Sequence, residues 1–106
     1  MMGLQELMLG DLERYEKDRE TWMLYLYTPM CGTCQMAGRM LEVTLEVLPG
    51  IECRKANLNY FPDLAGKWSV ESVPCLLFFR EGELAEKIYA FHSVPYLLEK
   101  TKEYLL

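Results

Sequence analysis

The chain has 106 residues, 51% of them hydrophobic and 25% charged, with a formal charge of −5. This suits one domain, residues 1–106, built round a single core, and excludes the basic stripe that a nucleic-acid or anionic-membrane surface needs. Four cysteines are too few for a secreted disulfide scaffold, and no stretch approaches the roughly 18 apolar residues of a membrane span.

Residues 1–11 carry no basic leader, and Gln5, Glu6 and Gly10 break their apolar run. The expectation is a cytoplasmic protein without an export signal. Residues 4–8 read equally as a short edge strand or as a helix start. Residues 12–19 mix both charge signs and suit a surface helix, with Asp11 as its N-cap. Trp22–Tyr27 is aromatic and almost wholly apolar, which fits a central strand buried on both faces.

An amphipathic helix follows over residues 35–48. Ala37, Met40, Leu41, Thr44 and Leu48 form one stripe, with Met36, Val43 and Val47 beside it, and Pro49-Gly50 ends it. Met36 and Met40 read as core filler. Residues 51–57 form a second strand. Residues 59–68 read as a short helix capped by Asn59, with Pro62 in its first turn and with Phe61 and Trp68 pinning it to the sheet. Residues 75–79 are a third strand, which Glu81-Gly82 turns directly into a fourth over residues 84–89. Ser93 and Pro95 open a closing helix with Leu97, Leu98, Thr101, Tyr104 and Leu105 inward. This order predicts an α/β fold whose sheet is parallel on one side and antiparallel on the other, with helices on both faces.

Cys31-Gly32-Thr33-Cys34 lies between the first central strand and the long helix. A helix start offers unpaired amides and a positive dipole end, which lower a thiol's pKa from about 8.5 toward neutrality. A second thiol one turn further in can close a small disulfide ring. Strand, CxxC and helix in this order therefore point to redox chemistry at the carboxyl end of a strand. The cysteine spacing C-x2-C-x18-C-x21-C has no second close pair and no histidine at ligand distance, so no metal site is expected. Cys53 reads as a core thiol. Cys75 is either an inert core residue or a third redox thiol. His92, the only histidine, lies far along the chain from the motif and reads as a solvent-facing loop residue.

Taken together, these residues resemble the thioredoxin family over nearly the whole chain. The resemblance rests on Cys31-Gly32-Thr33-Cys34 after a hydrophobic strand, on Val73-Pro74 before the run beginning at Cys75, on Lys55-Ala56-Asn57, on the Gly82 hairpin and on the closing helix. It implies a thioredoxin-like fold with a central mixed sheet. It also implies a thiol–disulfide oxidoreductase that reduces protein disulfides, Cys31 as the attacking thiolate and Cys34 as the resolving thiol. The Val73–Pro74 bond should be cis, and Met30, Gly32, Thr33, Val73 and Pro74 should form the surface that receives substrate. No flavin or nicotinamide motif is present, so no cofactor is expected and a partner reductase must return the electrons.

The chain departs from the family pattern at three positions near the motif. The buried carboxylate usual six residues before the first cysteine is replaced by Tyr25, the preceding tryptophan by Met30 and the intervening proline by Thr33. Lys55 matches the lysine that accompanies the carboxylate and is expected to stand without its acid, so Lys55 and Tyr25 are candidates for tuning proton transfer. Loss of the acid is expected to slow the resolving step near neutral pH. The rival reading is a binding or redox-sensing module on the same fold, with little turnover.

Overall fold

Two strands buried on both faces organise the molecule. In this computed structural model, which describes residues 4–106, the elements run β1 (Gln5–Glu6), α1 (Asp11–Lys17), β2 (Trp22–Tyr27), α2 (Gly32–Val47), β3 (Cys53–Asn57), α3 (Asp63–Lys67), β4 (Cys75–Arg80), β5 (Glu83–Ile88) and α4 (Val94–Leu105). Residues 1–3, part of the stretch read for a leader, lie outside the described residues. The sheet order is β1-β3-β2-β4-β5. β1 and β2 pair parallel with β3, while β4 pairs antiparallel with β2 and with β5.

Alternation along β2 and β4 divides the core into two layers. Met23, Tyr25, Leu76 and Phe78 pack with Ala37 and Leu41 of α2 and Leu97 of α4. Trp22, Leu24, Leu26, Cys75, Leu77 and Phe79 pack on the other face with Tyr15 of α1 and Leu64 of α3. Both strands are apolar at nearly every position because neither face meets water. Among the described residues, no helix is long and apolar enough to cross a membrane.

The β4–β5 turn is made by Glu81 (φ 50°) and Gly82 (φ 86°). Two left-handed residues match the twist of a two-residue hairpin. A Cβ on Gly82 would lie 3.1 Å from the Arg19 backbone, a tight approach that adds to the preference its φ already gives for glycine. Ser93 caps α4, its Oγ accepting from the Tyr96 N–H at 3.1 Å.

Several local readings are corrected. Residues 5–6 form an edge strand, which settles the ambiguous N-terminal run. Asp11 is the first residue of α1 rather than its cap. Gly10 holds the cap position, and the Asp11 carboxylate accepts from the Met8 N–H at 2.7 Å. That bond is the chief cause holding the Asp11 pKa below the usual carboxylate value. α3 begins four residues later than expected, because Asn57 and not Asn59 supplies the local turn: the Asn59 N–H donates to Asn57 Oδ1 at 2.9 Å. Met36, Val43 and Val47 are exposed, since α2 is covered along only one stripe. Met40 is partly buried, as a filler would be, and Trp68 and Phe61 do pack against the second core layer.

Candidate active site

Cys31 ends the loop after β2 in an extended conformation and caps α2. Its Sγ accepts from the Cys34 N–H at 3.1 Å and lies 3.4 Å from Thr33 Oγ1. A cap residue commonly offers an oxygen to these first amides; here sulfur occupies the place. No acidic residue stands in the first turn of α2, so the positive helix end is free to favour charge on Cys31. Cys31 and Cys34 are joined by a disulfide, their Cα atoms 5.1 Å apart. Cys31 is half-buried, whereas Cys34 is only 3% exposed.

α2 separates two hollows. The first, of about 400 Å³, is lined by Thr33, Met36, Met40, Pro74, Phe91 and His92 among others. The Val73–Pro74 peptide is cis. The motif and the residues around position 74 thus meet along one largely apolar groove, and Met30 beside it is 96% exposed. His92, remote in sequence, is brought to this groove by the loop between β5 and α4. It is solvent-facing, as read, with φ 57° and its ring edge-on to Tyr96 at 4.6 Å.

The second hollow, of about 350 Å³, lies behind the disulfide between α2 and the β2–β3 part of the sheet. Cys34, Gly38 and Glu42 line it from one side, and Tyr25, Tyr27 and Lys55 from the other. Tyr25 fills the space beneath the helix tip. Its phenol donates to the Cys34 carbonyl, and burial pushes its pKa up to about 12. The Tyr27 phenol donates to Glu6, and burial, first, then that carboxylate, raises its pKa.

Lys55 does not stand without an acid. Glu6, its register partner on β1, lies 3.8 Å from Nζ, and the ammonium also sits over the Tyr27 ring at 5.5 Å. About a third of the Lys55 side chain remains exposed. Sequence reasoning missed Glu6 because the pair depends on the register of a two-residue strand. It also missed Glu42, which the helical spacing 34, 38, 42 does place on one stripe.

The two remaining cysteines are free. Cys53 is buried in the layer under α2, and burial raises its pKa. Cys75 follows Pro74 but points into the opposite layer, away from α2, where burial pushes its thiol up to about 11.

The family model for thioredoxin matches residues 12–102. The chain belongs to the thioredoxin family. It is 47% identical over 100 residues to the thioredoxin-like protein YusE of Bacillus subtilis (strain 168), covering 94% of this chain and 92% of that one. It is 31% identical over 80 residues to a chloroplastic M-type thioredoxin of Pisum sativum, covering 74% of this chain and 46% of the other. In fold it is similar to a single-site mutant of thioredoxin from Halobacterium salinarum NRC-1 (TM-score 0.81, 24% identity, 98% and 91% of the two chains). The oxidised mitochondrial thioredoxin 3 of Saccharomyces cerevisiae is equally similar (TM-score 0.81, 22% identity, 94% of each chain). Family membership and the Cys31–Cys34 bond together make this thioredoxin-like chain a thiol–disulfide oxidoreductase in the general sense.

Proposed function

We propose that the chain acts as a single domain in the cytoplasm that reduces disulfides in protein substrates. Cys31 is the nucleophile: its thiolate attacks a substrate sulfur, a Cys31–substrate bond forms, and the first substrate thiolate departs. Cys34 then attacks Cys31, the Cys31–substrate bond breaks, and the second substrate thiolate leaves with the chain oxidised. A reductase partner restores the dithiol. Met30, Gly32, Thr33, Val73 and Pro74 form the receiving surface, and an extended substrate segment pairs with the Val73 backbone. Lys55 and Tyr25 tune proton transfer from behind the disulfide without themselves taking up the proton.

The observation that carries this reading is the asymmetry of the pair: Cys31 is half-exposed at the helix tip, and Cys34 is buried one turn in. An attacking thiol must meet its substrate, and a resolving thiol must not. Insulin-disulfide reduction tests it. Cys31→Ser should fall to background, while Cys34→Ser should still attack once and accumulate a mixed disulfide at Cys31. Turnover that survives Cys31→Ser would discard the assignment. A wild-type dithiol that turns over no disulfide would favour the redox-sensing module instead.

A further inference from the structure

The hollow behind the disulfide poses a chemical question. Cys34 is almost wholly buried, yet a resolving thiol has to give up its proton before it can attack. This hollow is large enough for water, which needs about 10–15 Å³, and Cys34 lines it. Position 38, midway between Cys34 and Glu42 on this stripe of α2, is a glycine and adds no side chain to the hollow. A Cβ there would reach to 3.5 Å from the Tyr25 ring.

The groups facing this space divide by what they can accept. The Tyr25 O–H is engaged with the Cys34 carbonyl and the Tyr27 O–H with Glu6. Both phenols hold their protons well above neutral pH, burial being the largest cause. Lys55 from β3 is paired with Glu6, and an ammonium has no acceptor site. Arg39 is a permanent cation, and Gln35 is a neutral amide. Glu42 is the one carboxylate among the lining residues. Among the described residues, no hydrogen bond or ion pair engages it.

We infer that Glu42 collects the proton of the resolving thiol through water in this hollow. The inference deepens the reductase reading and rests on it. In the resolving step the Cys34 S–H bond breaks and the proton passes by water to the Glu42 carboxylate. The Cys34 thiolate forms the Cys31–Cys34 bond while the Cys31–substrate bond breaks. The electron pair of that bond leaves on the substrate sulfur, which takes a proton from solvent, and Glu42 releases its own to solvent. The two cysteines lose two electrons and the substrate disulfide gains them. Glu42 acts on the Cys34 thiol only through water, so it is a positioning residue for the proton and not a catalytic one.

The test uses the reduced full chain mixed with an aromatic disulfide whose thiolate absorbs light. Attack by Cys31 releases the first equivalent, and resolution by Cys34 releases the second. Glu42→Gln should leave the first phase unchanged and slow the second by about tenfold at neutral pH. That is less than the 10²–10⁴ of a directly placed base, since water remains. The deficit should close at alkaline pH, where hydroxide takes the proton, and Glu42→Asp should restore the wild-type profile. Identical second-phase pH profiles in wild type and Glu42→Gln would overturn the inference, as would an Asp variant as slow as Gln. Absence of the first phase in the wild type would instead overturn the reductase reading.

Discussion

The four cysteines occupy two kinds of place, and their chemistry divides accordingly. Cys31 and Cys34 sit at the first turn of α2, where a sulfur meets a backbone N–H and no carboxylate in that turn opposes negative charge. Cys53 and Cys75 open β3 and β4 and are buried among apolar side chains. Burial raises both thiols, Cys75 to about 11 even with the Lys87 ammonium pulling it partly back. Cys75 is only one residue from Pro74, yet strand alternation turns it to the far layer. Proximity in sequence to the groove therefore does not place a thiol in it. The face of the strand decides which layer it enters.

Substituting inside the inert pair should break the comparison or sharpen it. Cys75→Ser places a hydroxyl among apolar atoms without a partner, which costs about 1–3 kcal/mol of stability. Urea denaturation should read that loss, while insulin reduction by the folded protein stays at the wild-type rate. A variant that keeps its stability but loses turnover would move Cys75 into the reactive class.

A smaller effect is expected from Tyr25→Phe, which removes the donor to the Cys34 carbonyl. One net hydrogen bond is worth about 1 kcal/mol, or roughly 4–8 °C in a domain near 100 residues. The pH signature is more specific. Tyr25 has its folded pKa raised from 10.0 to about 12, so the stability tied to the neutral phenol is fully present below pH 10. It is lost as pH rises from 10 toward 12, because the unfolded chain ionises first. Thermal melts of Tyr25→Phe should decline less steeply over that window. Tyr15, also raised to about 12 chiefly by burial, keeps part of the slope. Parallel curves for the two proteins would count against a buried, neutral Tyr25.

Much of this was legible in the residues themselves. The apolar runs of β2 and β4, the Glu81-Gly82 turn and the CxxC at a helix start are local signals. Most elements formed within a residue or two of their expected bounds; α2 begins three residues sooner and α3 four later. Other features depended on register or on loops. Glu6 reaches Lys55 only because β1 pairs parallel with β3 at that offset. His92 joins the groove only because the chain folds back after β5. Asn57 preempts Asn59 because a side-chain oxygen two residues upstream of an amide closes a tighter turn. A periodicity plot also cannot say how wide a helix's covered stripe is, and so Met36 came out exposed.

The most direct test of sulfur placement is alkylation of the reduced, native chain across pH, with each cysteine followed by mass spectrometry. Cys31 should be modified fastest and already near neutral pH, Cys34 far more slowly, and Cys53 and Cys75 only on unfolding. Modification of Cys53 or Cys75 in the native protein at a rate matching Cys31 would contradict the account.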